Sequence, residues 1–376
     1  MSRYQICRKT VIDSSYPGVT FDQEEISDIY WNFKKHIEPS WRTRSRRELE
    51  DQCCKIRAAG RGKDFDCLLG LSGGLDSSFM LHTVVKEFGL RPLVFHVDGG
   101  WNTELAVHNI NSLIDKLRLE LFTEVINWDE MRDFQLSWFK SGVPHIDIPQ
   151  DHAFIAVIYK FAEKHKIKTI LNGGNVSTEC VSTPLKYFYW GTDPVHIRDI
   201  IQRYGTTPLR SYPFSSVFRH KIYLRYLQGV KVVKPLNYIP CSKELMLNTL
   251  EKEYNWKPYP QKHFESRFTR FFEGYWLPSR FGFDIRRVQF SSLILTNQMN
   301  REEALKLLQT PALDRETVKQ EFEYVANKLG ISEEELRGYH NMPLKFYYNY
   351  KNMHLTLALM EKVASALNLG RRGGAI

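Results

Sequence analysis

The sequence predicts an α/β protein in which a parallel sheet carries helices on both faces and is followed by a mainly helical C-terminal region. Three observations predict it. Between residues 65 and 174 short aliphatic runs alternate with amphipathic stretches, a repeat of roughly 30 residues that implies strand-helix-strand crossovers. The first of these runs, residues 66–71, ends directly in a glycine-rich turn and then a helical pattern. Beyond about residue 219 helical spacing dominates.

Taken in order, the strand-like runs are 66–71, 92–98, 121–127 and 168–172, with helices expected near 77–87, 103–116, 130–140 and 151–165. Parallel strands place ligands at their carboxyl ends. Those ends read Ser72-Gly73-Gly74, Val97-Asp98-Gly99-Gly100-Trp101-Asn102, Asn127-Trp128-Asp129 and Asn172-Gly173-Gly174-Asn175, so together they suggest a nucleotide pocket. Residues 176–218 are aromatic and turn-rich with little periodicity, as expected of an elaborated loop over a site. Further helices are expected at 244–253, 301–309, 315–329 and 353–367, with a break at Thr310-Pro311. The expected division is an N-terminal arm at 1–60, a nucleotide domain at 61–218 and a helical domain at 219–376.

At 376 residues and 43% apolar content the chain can bury a large core. No apolar run is long enough to span a membrane, and the first residues lack the apolar core of a signal peptide. A cytoplasmic protein without membrane insertion is expected. Its six scattered cysteines contain no Cys-x-x-Cys and fit a reducing compartment. The net charge of +9 favours an anionic partner without choosing among nucleic acid, nucleotide sugar, membrane surface and acidic protein. The Arg42 to Arg47, Arg286-Arg287 and Arg371-Arg372 clusters carry no interleaved aromatics, so solvated basic faces are expected rather than a nucleic-acid surface.

The chemistry concentrates in Ser72-Gly73-Gly74-Leu75-Asp76-Ser77-Ser78. Two glycines let backbone N–H groups approach an anion, Ser72 and Ser77 add hydroxyls, and the following helix aims its positive end at the same place. Asp76 would repel phosphate unless a metal lay between them, so it reads as a Mg²⁺-side or helix-capping residue. The spacing differs from Gly-x-x-x-x-Gly-Lys-Ser/Thr, and no lysine follows. Ser-Gly-Gly-x-Asp-Ser is instead similar to the PP-loop of the ATP pyrophosphatases, adenine nucleotide alpha hydrolase-like proteins that split ATP between its α and β phosphates. That resemblance implies ATP and Mg²⁺ as cofactors.

Further segments resemble the N-acetyl sugar amidotransferases of bacterial surface-polysaccharide synthesis, the WbpG, PseA and LegA type. They are Ile12-Asp13 with residues 17–22, the PP-loop itself, residues 94–102, residues 262–268, and Gln298 with residues 301–305. The resemblance implies an amidine-forming ligase of lipopolysaccharide and O-antigen synthesis, using ATP and ammonia on a UDP-sugar. It also implies roles. Phe95, His96, Val97 and Asp98 would lie by the adenosine, Gly173 and Gly174 would flank the α-phosphate, and Lys262, His263 and Arg267 would join Asp76 in catalysis. The family pairs two Cys-x-x-Cys motifs near its start, whereas here only Cys7 stands, with Thr10, Ser27 and Tyr30 at the other places. No structural zinc is expected there.

The chain has no N-terminal cysteine and no cysteine elbow of a glutaminase, so a separate glutaminase subunit is expected to supply ammonia. Two alternatives stay open from sequence. One is a PP-loop tRNA-modifying enzyme, the other a non-catalytic nucleotide-binding subunit. The sugar and the oligomeric state are not legible.

Overall fold

The computed structural model describes residues 4–216 and 228–366. The Arg371-Arg372 tail, Leu367 and the last residues of the 176–218 segment lie outside them.

Five parallel strands form one sheet in the order β3-β2-β1-β4-β5. They are β1 (Cys67–Gly70), β2 (Pro92–Asp98), β3 (Leu121–Val125), β4 (Thr169–Leu171) and β5 (Lys231–Val233). The continuous apolar runs of β1 and β2 arise because both faces of the sheet are covered. Cys67, Leu69 and Val94 point into one core, which is built with the Leu75–His82, Glu104–Leu117 and Lys243–Tyr254 helices. Leu68, Leu93, Phe95 and Val97 point into the opposite core, under the Ile148–Lys164 helix. Helices on both faces are therefore present as expected.

The chain moves outward from β1 to β2 to β3, then returns to place β4 on the other side of β1. The order reverses between β1 and β4, and such a switch point opens a crevice at the strand ends. Ser72 to Ser77 follow β1 there, and Asn172 to Gly174 follow β4.

Differences from the sequence reading have local causes. The third strand stops at Val125 because Asn127 caps the Trp128–Ser141 helix, its side chain accepting from Glu130 N–H at 3.1 Å. The fifth strand, only 3 residues long, lies in a region read as helical. The 176–218 segment is not loop throughout. Asp193 accepts from the N–H groups of Val195 and His196, Pro194 fixes the first turn, and Ile197 and Ile200 bury the inner face of a Pro194–Tyr204 helix.

A third core joins the N-terminal arm to the C-terminal region, with Ile12 and Phe33 packed among Phe268, Phe271, Trp276 and Phe322. The helical run from Arg267 to Phe281 at its centre includes a π-helical turn at Phe272–Trp276. Helices at Arg286–Leu295, Arg301–Leu307, Arg315–Leu329, Glu333–Asn341 and His354–Ala366 complete the region. The arm is held by polar contacts as well: Arg301 Nε donates to the carbonyls of Cys7 and Thr10, both at 3.0 Å. Around Cys7 the turn is closed by hydrogen bonds, with Ser27 N–H donating to the sulfur at 3.3 Å and Ser27 Oγ accepting from Tyr30 N–H.

Candidate functional site

Strand β1 ends at Gly70, and the backbone turns at Ser72 to start the Leu75–His82 helix, with Gly74 at its N-cap. Gly73 has φ +84°, and a Cβ there would lie 2.9 Å from the Ala106 carbonyl oxygen. Only glycine makes this turn at this distance from the next helix. The turn is self-braced: Ser72 Oγ accepts from Gly74 N–H at 3.2 Å and lies 3.1 Å from Ser77 Oγ, which accepts from Ser72 N–H at 3.3 Å. Open N–H groups at a helix start draw anions, so the turn has the form of an anion cradle.

Strand β4 brings a second glycine tip against the first. A Cβ on Gly173 would lie 3.2 Å from Ser77 N, so the absence of a side chain keeps the helix start uncovered. Asn175 ties the two tips together, donating from Nδ2 to Asp76 Oδ1 at 2.8 Å.

Residues 256–266 then cross the mouth of the crevice as a strap. Asn109 pins it by donating to the Lys257 carbonyl at 2.9 Å and accepting its N–H at 2.8 Å, while the Tyr259 hydroxyl donates to the Gly73 carbonyl at 3.1 Å. From this strap Lys262 Nζ reaches Asp76 Oδ2 at 2.9 Å and Glu179 at 2.7 Å. Burial works against the Lys262 charge, but the Asp76 and Glu179 carboxylates more than offset it and hold its pKa above the usual lysine range. His263 sits at φ 66° and sets Nδ1 2.9 Å from Glu273 Oε1. Burial again opposes the charge, and the Glu273 carboxylate outweighs it, raising the His263 pKa to about 9. Glu265 leans over the cradle, accepting from Ser72 Oγ at 3.3 Å, and burial raises its pKa. A Cβ on Gly74 would lie 2.5 Å from its carboxylate oxygen.

Two cavities meet at this strap. The cradle cavity, about 730 Å³, is lined by Gly74, Asp76, Ser77, Gly173 and Gly174. The strand-end cavity, about 680 Å³, is lined by Phe95, His96 and Val97 of β2. Ser72, Thr178, Lys262, His263, Glu265 and Gln289 line both and form the wall between them.

Most of the residues singled out from sequence are therefore brought together, and four are not at the cavities. Ser78 is fully buried beneath the cradle, where its hydroxyl accepts from Trp256 Nε1 at 3.2 Å. Gly73 turns its Cα toward Ala106 and shapes the loop through its backbone. Asp98 braces its own turn, accepting from Gly100 N–H at 2.8 Å and Asn102 Nδ2 at 3.3 Å. Arg267 points into the helical region, paired with Glu321 at 2.9 Å and set 3.4 Å from the centre of the Tyr324 ring. Its guanidinium holds helices together instead of meeting the cradle. His96 is at the cavity but already engaged, with the Leu71 carbonyl 2.8 Å from Nδ1 and Asn102 Nδ2 2.8 Å from Nε2.

Residues 265–364 match the family described as LPS biosynthesis protein WbpG-like, C-terminal domain. Over this stretch the chain is similar to that family. It opens with Glu265, the residue over the cradle, so the WbpG-like segment contributes directly to the site as well as to the helical core. No curated protein matches the chain. Solved structures with some likeness include NMN synthetase from Francisella tularensis, 11% identical with TM-score 0.35, covering 80% of this chain and 97% of that one. Another is NH3-dependent NAD synthetase from Campylobacter jejuni, 14% identical with TM-score 0.29, at 80% and 98% coverage. A third is U34-tRNA thiolase NcsA from Methanococcus maripaludis, 14% identical with TM-score 0.32, at 80% and 81% coverage.

Glu179, Glu265 and Thr178 were not singled out from sequence, and Asn175 stood there only as the end of the Asn172 to Asn175 tip. Glu265 had a signal, since it lies inside the same short segment as Lys262 and His263. Glu179 had only its position shortly after the Gly173-Gly174 tip. Among the described residues no three His, Cys, Asp or Glu side chains are grouped as a metal site, and no helix is long and apolar enough to cross a membrane.

Proposed function

We propose that the protein is an ATP-dependent amidotransferase that converts the acetamido group of a nucleotide-linked sugar to an acetamidino group, forming AMP and pyrophosphate, for O-antigen or lipopolysaccharide synthesis. The observation that carries this reading is the Ser72 to Ser77 anion cradle at the β1 switch point, facing Lys262 across Asp76, in a chain whose C-terminal part is WbpG-like.

An amide does not surrender its oxygen to ammonia, because oxide is too poor a leaving group. Attack of the amide oxygen on the α-phosphorus expels pyrophosphate and, with loss of the amide proton, gives an O-adenylyl imidate whose leaving group is now AMP. The protein's task is then to hold charges and atoms in place. In this reading the Gly74 and Ser77 side of the cradle receives the departing pyrophosphate, with Gly173 and Gly174 beside the α-phosphate and Phe95 to Val97 beside the adenosine. Lys262 turns from Asp76 to phosphate oxygens, and His263, kept cationic by Glu273, faces the negative charge that develops on AMP. A carboxylate at a phosphate mouth suits Mg²⁺, which commonly binds through one or two carboxylates plus substrate phosphates. Asp76 is that residue, with Glu265 close by. The metal would neutralise phosphate charge.

Ammonia comes from a glutaminase subunit in this reading, and the sugar carrier is a UDP-sugar. The test is mass spectrometry of a UDP-sugar panel incubated with ATP, Mg²⁺ and ammonium. The expected product has one amide oxygen replaced by NH, alongside AMP and pyrophosphate. Release of ADP and phosphate, or no turnover of any acetamido sugar, overturns the reading. Salt-dependent capture of tRNA in a filter assay would favour a tRNA-modifying enzyme instead.

A further inference from the structure

Carboxylates are abundant in the strand-end cavity, which is an odd lining for a pocket next to a phosphate cradle. Among those lining it, Glu179 is paired with Lys262, Glu273 with His263, and Asp151 with His145 at 3.1 Å. Asp147 differs. It is only 3% exposed, yet among the described residues no Lys, Arg or His pairs with it; its oxygens accept instead from Thr269 Oγ1 at 2.6 Å and Gln150 Nε2 at 3.2 Å. Both donors are neutral. Gln150 Nε2 also reaches Ser266 Oγ at 3.3 Å, which links Asp147 to the strap one residue from Glu265.

A buried carboxylate held by neutral donors, whose neighbouring cation His145 is already paired with Asp151, is suited to take a proton from a small cation. We propose that Asp147 is the proton acceptor for ammonium, releasing ammonia in the strand-end cavity on the far side of the Lys262 and His263 wall from the pyrophosphate. This rests on the amidotransferase reading.

The step balances. Ammonium gives one proton to the Asp147 carboxylate and becomes ammonia. The ammonia lone pair attacks the imidate carbon, and the C–O bond to AMP breaks with its electron pair leaving on the phosphate oxygen. The three ammonia hydrogens remain on the amidinium product, and the Asp147 proton passes to water. Burial, with the Asp151 charge added, raises the Asp147 pKa to about 7, where it can both take and return a proton near neutrality. The groups facing it are Asp151 and Gln150 on its own helix, His145 just before, Thr269 and Glu273 from the helical region, and Tyr212.

The test uses the full chain and Asp147→Asn with ammonium chloride as nitrogen source. The variant should lose about 100-fold in kcat/KM for ammonium, the order general-base catalysis supplies, along with the acid limb of the pH profile. Sugar-dependent exchange of labelled pyrophosphate into ATP should stay within about twofold, because adenylation precedes the proton transfer. Hydroxylamine, a nucleophile already unprotonated at neutral pH, should restore turnover. Intact exchange with unchanged ammonium kinetics overturns the role of Asp147 alone, and so does loss of exchange in parallel with amidine formation. Wild-type exchange that ignores the sugar overturns the amidotransferase reading itself, and Asp147's role with it.

Discussion

Because Lys262 already holds Asp76 at 2.9 Å and Glu179 at 2.7 Å, nucleotide binding at the cradle, as proposed, would exchange ion pairs more than create them. Asp76→Asn should therefore reduce pyrophosphate release by at least about 100-fold, the order seen when a charge-positioning group is removed, measured by a coupled pyrophosphatase assay. Glu265→Gln should act in the opposite direction on binding. Removing a carboxylate over the cradle is expected to tighten Mg²⁺-free ATP by about tenfold, roughly 1.4 kcal/mol, read by calorimetry. His263 gives a pH signature. Its folded pKa of about 9 exceeds its ordinary 6.5, so its contribution is complete below about pH 6.5 and is lost as pH rises through 9. The melting-temperature difference between wild type and His263→Gln should narrow over that interval. Lys262 and His263 were legible because they share a short segment of known family type. Asp147 was not, because a carboxylate outside any motif reveals its burial only once Thr269 and Gln150 are seen beside it.

At the scale of elements, strand-to-turn-to-helix at residues 67–82 was legible since a continuous apolar run, paired glycines and helical spacing all agree there. The Pro194–Tyr204 helix was missed although Asp193-Pro194 is a proper start signal, because surrounding aromatics hid its period. Asp193 also accepts from the Tyr189 hydroxyl at 2.6 Å and from Met353 N–H at 2.7 Å. Asp193→Ala should accordingly cost about 2 kcal/mol, the upper end for a lost cap, seen as a shifted urea midpoint with ATP affinity unchanged. β5 escaped because a strand of 3 residues offers too few alternations to read. Arg267 shows the same limit from the other side. Its motif pointed to catalysis while Glu321, 54 residues later, claims it. Arg267→Ala should lower stability by about 1.5 kcal/mol by removing one of the two guanidinium groups that hold the buried Glu321 carboxylate, Arg270 being the other, with a much smaller effect on kcat than Asp76→Asn.

For the whole molecule, the sheet and its two cores could be expected from periodicity, whereas the third core could not. It is made from Ile12 and Phe33 at one end of the chain and the helices after Arg267 at the other, a pairing that no local pattern encodes. The strap is the same kind of long-range event. Glu265 meets Ser72 across 193 positions and Lys262 meets Asp76 across 186. A growing polypeptide will have formed the glycine turn and its flanking strands long before the residues that complete them leave the ribosome, since domains fold as their sequence emerges. The nascent protein should thus be unable to engage nucleotide until residues beyond 266 are free, and stalled ribosome complexes released at successive lengths should acquire ATP protection from proteolysis only past that point. The crossing segment thereby delays nucleotide engagement until it has itself emerged and folded across the glycine turn.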